Sequence, residues 1–252
     1  IKSLWTRRAG LQLTPEQTRV LGIYYNSFVH AGAQLSAADQ EKLKALNTSL
    51  SGLETSFQQK LLAAAKAGAF VTSDKAKLAR LDEGALAAAQ ENAKARGLDG
   101  QWLLPLQNTT QQPALESLTD RATREALFTS SLTRAEKGDA NDTRPIIAQL
   151  ALLRAQKAQL LGYPNWSAYV LYDQMAQTPQ AASGFMQKLA AATAPEQKRE
   201  AAELQAQIDK DGDKIQLKPW DWDHYAEQVR KDKYDLDQEQ VKPYFQLNTV
   251  QE

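Results

Sequence analysis

The stretch SAADQEKLKALNTSLSGLETSFQQKLLAAAKAG, residues 36–68, decides the fold class. Its large apolar side chains recur at alternating spacings of three and four residues, which places them on one stripe of a long helix: Leu43, Leu46, Leu50, Leu53, Phe57 and Leu61. Ser36, with Asp39 three residues later, fits a helix N-cap, and Gly68 fits a helix end. The stretch therefore predicts a single long helix.

Helical spacing continues on both sides of this stretch. Upstream it predicts a helix from Thr14-Pro15 to about Gly32, with Pro15 in the first turn and three side chains facing inward: Val20, Tyr24 and Phe28. Downstream it predicts helices over residues 83–97, 120–138, 146–161 and 178–212, and one that Asn165 caps. Pro195 either kinks the last of these or begins a new helix.

Three segments depart from helical spacing. Phe70–Thr72 and Leu103–Leu106 are predicted to be short and extended, and Asn108–Pro113 is predicted to be a polar loop. No repeat or flexible linker is visible. The prediction is a mainly α architecture in which residues 1–252 form one helical lobe or part-domain, with a subdivision near residues 68–113 left open.

Composition argues against several classes of partner. Lys plus Arg and Asp plus Glu each number 30, so no net charge favours nucleic acid or an anionic membrane surface. The longest apolar run, residues 61–71, contains Lys66 and Gly68 and is too short to span a bilayer. The chain has no cysteine, which fits a cytoplasmic protein and leaves the periplasm open.

Both ends of the sequence suggest a longer protein. Residue 1 is Ile1, and the last residues include an apolar group, namely Tyr244, Phe245, Leu247 and Val250. We therefore expect an internal segment of a larger polypeptide.

Only two histidines are present, His30 and His224. A zinc peptidase helix of the H-E-x-x-H type needs two histidines one turn apart, and these two are far from that spacing. His224 has Asp221, Asp223 and Glu227 nearby, but the preferred interpretation is a helix start capped by one of the aspartates, with the tryptophans buried. His30 is interpreted as a structural residue at a helix end, where a partly charged imidazole favours the helix dipole.

Other candidate sites fail on spacing or on pattern. Asp209–Asp213 resembles a calcium loop, yet the required glycine position holds Lys214 and the bidentate glutamate position holds Trp220, so we interpret it as a solvated helix end. No phosphate-binding loop or nucleophile elbow occurs. Core packing is the preferred interpretation for the tryptophans that could line a peptide surface: Trp102, Trp166, Trp220 and Trp222. The residues alone reveal no active site.

Two long stretches nevertheless carry a family resemblance. Residues 147–169 read IAQLALLRAQKAQLLGYPNWSAY and continue into Met175-Ala176 and Thr178-Pro179, and the second stretch is Leu217–Tyr225 with the later Pro243-Tyr-Phe245. Both resemble signatures of the thimet-oligopeptidase family of zinc metallopeptidases. Residues 28–35 and 108–115 look most like its bacterial dipeptidyl carboxypeptidase branch.

The resemblance implies a mostly helical, two-lobed enzyme with a deep channel between its lobes. This chain would supply the N-terminal lobe, one wall of the channel that admits short peptides, and the C-terminal catalytic lobe of the same protein would be its partner. The family's zinc ligands and general base lie in that later lobe, so the resemblance implies zinc in the parent enzyme and no metal, cofactor or catalytic residue in this chain. The channel-facing residues are not identified.

Two alternatives remain open at this point. In the first, the parent is an oligopeptidase A-type endopeptidase and not an enzyme that releases C-terminal dipeptides. The chain could also be a stand-alone helical module that binds peptides or acts as a scaffold, an interpretation that rests only on the missing catalytic site.

Overall fold

A computed structural model describes residues 1–235 and 242–245, and this part is mainly α-helical, as the sequence predicts. The helices are α1 Lys2–Arg7, α2 Pro15–His30, α3 Ala37–Ala67, α4 Glu83–Lys94, α5 Asn108–Ser117, α6 Arg121–Leu132, α7 Arg144–Leu160, α8 Trp166–Leu171, α9 Pro179–Lys210 and α10 Trp222–Tyr234. Two strands, β1 Phe70–Thr72 and β2 Trp102–Leu104, pair antiparallel with Val71 opposite Leu103.

The helix starts follow local side-chain chemistry. Ser36 Oγ accepts a hydrogen bond from the Asp39 backbone N–H at 3.2 Å, which satisfies one of the free donors at the start of α3. Thr14 and Gln17 form a reciprocal capping box at the start of α2, with Pro15 in the first turn. Asn165 Oδ1 accepts from the Ala168 N–H at 2.8 Å and begins α8 as predicted.

The chain divides into two compact units. Unit 1 comprises Ile1–Gln59 and Thr143–Gln187. Its core joins α3 to α7 through Leu50, Ile146 and Leu150, with three partly buried side chains packed against them, namely Leu53, Phe57 and Leu153. The predicted single lobe with its subdivision near residues 68–113 stays a prediction.

Unit 2 comprises Lys60–Asp142 and Lys188–Glu252. Its larger core includes Leu78, Leu104, Leu118 and Leu127, each at most 2% exposed. A second core cluster joins α9 to α10 through Leu204, Ile208 and Tyr225, and Trp222 packs against it. Unit 2 therefore contains the Leu217–Tyr225 stretch, one of the two that carry the family resemblance.

The predicted loop at Asn108–Pro113 is wrong, because these residues form the first half of α5. The backbone N–H groups of Thr110 and Gln111 both donate to the Gln107 carbonyl, and Pro113 is accommodated inside the helix. Ala114 and Leu115, in the same helix, are 3% and 4% exposed within the core of unit 2. Burial of these side chains stabilises a helix that the polar, proline-containing sequence disfavours.

The predicted inward face of α2 is also wrong. Val20, Tyr24 and Phe28 are 51%, 59% and 53% exposed. The face that packs inward contains Tyr25, the residue after Tyr24. Trp5 of α1 stacks on Tyr25 with ring centroids 4.8 Å apart. Because α2 carries apolar side chains on two faces, its sequence pattern alone could not decide which face is buried.

Other boundaries differ only in length. The helix predicted over residues 120–138 ends at Leu132, and the one predicted to Gly97 ends at Lys94. α9 is a single assigned helix that runs through Pro195. Of the C-terminal apolar group, Tyr244 and Phe245 are exposed, and Leu247 and Val250 lie outside the described residues. Among the described helices, none is long and apolar enough to cross a membrane.

Candidate functional site

The Leu217–Tyr225 stretch centres on a buried carboxylate, that of Asp221. Its side chain is 0% exposed and accepts hydrogen bonds from the guanidinium groups of Arg121 and Arg124 in α6. Arg121 is bidentate, with Nε 3.0 Å from Oδ1 and Nη2 2.8 Å from Oδ2, and Arg124 Nη2 lies 3.0 Å from Oδ1. The Lys218 backbone N–H adds a further hydrogen bond at 3.1 Å.

Arg124 is the more deeply buried of the two arginines, at 2% exposure. Its Nη1 donates to the backbone carbonyls of Leu118 and Thr119, so its charge is held by a fixed set of acceptors. Burial favours the neutral form of Asp221, but the hydrogen bonds from Arg121 and Arg124 outweigh that effect and lower its pKa. The group is therefore an ionised clamp that joins α6 to the start of α10.

The predicted helix start at Asp221 is confirmed, but the predicted capping hydrogen bond is not made. Asp221 occupies the N-cap position of α10, and its side chain forms no cap bond there. The carboxylate instead lies between the two arginines. Trp220 and Trp222 are partly buried, and Trp222 belongs to the hydrophobic surroundings of Tyr225.

His224 uses both of its ring nitrogens within unit 2. Nδ1 lies 3.1 Å from the Glu116 backbone carbonyl, so it carries the proton and donates, and Nε2 accepts from Gln228 Nε2 at 3.0 Å. Burial lowers the pKa of His224, and the nearby positive charge of Arg124 lowers it further. A neutral imidazole with two internal partners is a structural link between α5 and α10.

The carboxyl groups around His224 are held in different ways. Burial raises the pKa of Glu116, and the negative charges of Glu227 and Asp223 raise it further. Burial also raises the pKa of Asp223. Glu227 accepts from Arg230 Nε at 2.7 Å. Glu116, Asp223 and Glu227 are therefore close enough for their charges to interact.

The lowered pKa of His224 gives a pH-dependent stability. Because folding lowers this pKa, the unfolded chain binds more protons below the unfolded value of about 6.5. The free energy of unfolding should thus fall as the pH is lowered from about 7.5 to 5.5. In a His224→Gln variant this fall should be smaller, since the amide can donate to the Glu116 carbonyl but does not titrate.

Urea unfolding of both proteins across this pH range measures the difference. Glu116 and Asp223 titrate in both proteins, so the difference between the two slopes isolates His224. Identical slopes would show that His224 does not titrate differently on folding.

His30 lies in an aromatic cluster of unit 1. Its ring stacks on Tyr169 at 4.0 Å and on Tyr172 at 3.9 Å, and its Nδ1 is 3.0 Å from the Tyr163 hydroxyl. Burial lowers the pKa of His30, with Lys157 lowering it further and Asp173 opposing. His30 is the last residue of α2, as predicted, and burial opposes the partial positive charge expected of its imidazole.

The zinc ion that the family resemblance implies does not fit the described residues. Within residues 1–235 and 242–245, no group of three or more His, Asp and Glu side chains could hold a metal ion. The ring nitrogens of His224 already have protein partners, and Nδ1 of His30 lies 3.0 Å from the Tyr163 hydroxyl.

The remaining candidates have structural positions. Asp209 and Lys210 end α9, and Gly212 follows with a left-handed φ of +85°, which confirms the predicted helix end. Trp102 packs against the core of unit 2. The ring centroid of Trp166 lies 5.1 Å from that of Tyr169 in the aromatic cluster.

Sequence reasoning missed the arginine clamp and the tyrosine cluster. Arg121 and Arg124 are three residues apart, which places them on one helix face, but their carboxylate partner lies 100 and 97 residues further along the chain, respectively. Tyr163, Tyr169 and Tyr172 are visible as an aromatic-rich segment, yet no local pattern indicates that they surround His30. Only the tertiary structure brings these groups together.

Comparison of the sequence with known proteins identifies a family and several relatives. The sequence pattern of peptidase family M3 matches residues 114–252, more than half of the chain. Dipeptidyl carboxypeptidase of Escherichia coli (strain K12) is 51% identical over 250 residues, which are 99% of this chain and 37% of that protein. Dipeptidyl carboxypeptidase of Salmonella typhimurium is 47% identical over the same length and share.

A second group of relatives is more distant. Oligopeptidase A of Escherichia coli is 30% identical over 240 residues, which are 94% of this chain and 35% of that protein. The chain thus spans little more than a third of the length of the relatives it matches.

Proposed function

The chain belongs to peptidase family M3, and on that premise we propose that it forms the N-terminal, channel-wall part of a zinc metallopeptidase that removes C-terminal dipeptides from short peptides. The observation that carries this proposal is the 51% identity to a dipeptidyl carboxypeptidase along 99% of the chain. Such a level over such a length supports a shared architecture and a shared way of binding peptides.

The difference between the two groups of relatives supports the choice of reaction. Identity is 51% and 47% to the dipeptidyl carboxypeptidases and 30% to oligopeptidase A of Escherichia coli. An exopeptidase that removes dipeptides must recognise the free carboxylate at the peptide's end, whereas an endopeptidase needs no such group. The dipeptidyl activity is therefore the proposal, and the oligopeptidase A-type parent is the alternative that the test must distinguish.

We assign this chain a binding and steric role, with no zinc ligand and no catalytic residue. The two candidate side chains of the Leu217–Tyr225 stretch already have protein partners. Asp221 is paired with two arginines, and His224 is hydrogen-bonded to the Glu116 carbonyl and to Gln228. Zinc would polarise the substrate carbonyl and activate water in the parent enzyme, with ligands from the C-terminal catalytic lobe. A cytoplasmic location, with the periplasm as the alternative, stays a prediction.

Product analysis with matched peptides tests the proposal. The gene product at its native length is incubated with a short peptide that has a free C-terminal carboxylate, and in parallel with the same peptide amidated at that end. We expect C-terminal dipeptides from the first peptide alone, and no cleavage of either peptide by residues 1–252.

The other outcomes separate the alternatives. Equal cleavage of both peptides at internal bonds would assign the oligopeptidase A-type activity. Cleavage by residues 1–252 would overturn the non-catalytic role. A native product of about this length that binds peptides without cleaving them would favour the stand-alone module.

A further inference from the structure

An apolar stripe on α2 lies open to solvent in unit 1. Val20, Ile23, Tyr24 and Phe28 are 51%, 52%, 59% and 53% exposed. Their spacings of three and four residues place them side by side on one helix face. Single exposed apolar residues are ordinary, but a contiguous row of four large ones is typical of an interaction surface.

The contacts of α2 with Trp5 lie on a different side of the helix from this stripe. The other side of α2 already holds the helix in place: Trp5 stacks on Tyr25, and its ring would lie 3.4 Å from a Cβ placed on Gly22. His30, at the end of the helix, is stacked between Tyr169 and Tyr172. The stripe is therefore a second apolar face of α2, beside the one that packs on Trp5.

Open grooves border the stripe at Phe28. One groove of about 450 Å³ runs between Phe28 and the α3 side chains Leu43 and Asn47. Another, of about 290 Å³, is lined by Phe28, Val29 and Ile1. Phe28 thus lies between two grooves. Side chains of a second helix or strand could pack into these grooves on either side of it.

The chemistry of the stripe indicates an apolar occupant. No residue of the exposed row carries a charge, so a nucleic acid or a strongly charged peptide would gain nothing there. In the dipeptidyl carboxypeptidases, nearly two thirds of the polypeptide lies outside the part matched by this chain. A polypeptide of that length has ample further apolar surface to bury.

We propose that the α2 stripe, Val20 to Phe28, is a docking surface for the later part of the same polypeptide, an inference that rests on the proposed function. The occupant is an apolar helix or strand face of the catalytic lobe. It covers Ile23 and Tyr24 and fills the grooves beside Phe28. Association of two copies through this stripe is the competing arrangement that the experiment excludes.

Thiol labelling tests this directly, because residues 1–252 contain no cysteine. Ile23→Cys places a thiol within the stripe, and Thr18→Cys places one at an exposed position of the same helix, about 140° round the helix from Ile23. Each is made in the native-length gene product and in residues 1–252, and the labelled positions are identified by peptide mass mapping. The rate of maleimide labelling reports how accessible each thiol is.

We expect position 23 to label about tenfold more slowly, or slower still, in the native-length product than in residues 1–252, because a covered thiol reacts only when the contact opens. Position 18 should label at one rate in both. Equal rates at position 23 would overturn the docking surface. A rate at position 23 of residues 1–252 that falls as protein concentration rises would assign the stripe to a second copy and also overturn it.

The labelling experiment can reject the docking surface without rejecting the proposed activity, and the reverse also holds. Release of dipeptides by the native-length Ile23→Cys and Thr18→Cys proteins is measured on the same samples. Dipeptide release with equal labelling rates would reject the docking surface and keep the function. Slow labelling of position 23 without dipeptide release would reject the function and keep the surface.

Discussion

Replacing Asp221 with alanine should lower the free energy of unfolding of unit 2 by about 3–5 kcal/mol, the range expected when one partner of a buried ion pair is removed. Arg124 is 2% exposed and would keep its charge with only two backbone carbonyls as acceptors. Arg121, one third exposed, can turn toward water, so most of the loss comes from Arg124. Urea unfolding at neutral pH measures the change.

Two control variants identify the cause. Asp221→Ala combined with Arg124→Met should regain part of the lost stability, because the second substitution removes the unpaired buried charge. Asp232→Ala removes the partner of Lys210 in an exposed pair of unit 2 and should change little. A loss for Asp221→Ala no larger than that for Asp232→Ala would show that the clamp is not a major source of stability.

Truncating Leu127 to alanine should cost about 2–5 kcal/mol, the usual range for a buried leucine. Leu127 is 0% exposed in the core of unit 2, where it packs with Leu118 and Leu104. The cost includes both the lost transfer of the side chain from water and the cavity that remains, since close-packed surroundings relax only in part.

Leu132→Ala is the matched control for this prediction. It makes the same substitution in the same helix, α6, at a side chain that is 69% exposed. It should leave the free energy of unfolding nearly unchanged, because little apolar surface is removed from the interior. Comparable losses at both positions would contradict the assignment of Leu127 to the core.

The long helices could be predicted from sequence because their signals are local. The apolar stripe of α3 and the Ser36 cap lie within one continuous stretch, and both agree with the structure. Asn165 and Pro179 begin the expected helices for the same reason. In α5, by contrast, a polar sequence with an internal proline forms a helix because Ala114 and Leu115 are buried by distant residues.

The side of α2 that faces inward could not be predicted, because the helix has apolar residues on two faces. Tyr25 and Gly22 meet Trp5, whereas Val20, Tyr24 and Phe28 are more than half exposed. The clamp between Arg124 and Asp221 depends on a contact across 97 residues, beyond any spacing rule. The sequence motifs did indicate the family, since they do not depend on which side chains touch.

We propose above that this chain is the non-metal-binding, non-catalytic part of a zinc dipeptidyl carboxypeptidase. The zinc content of the gene product, purified at its native length and compared with that of residues 1–252, tests it most directly. We expect about one zinc per native-length molecule, as a three-ligand catalytic site requires, and no stoichiometric zinc in residues 1–252. A zinc-free native-length product, or one zinc bound by residues 1–252, would contradict it.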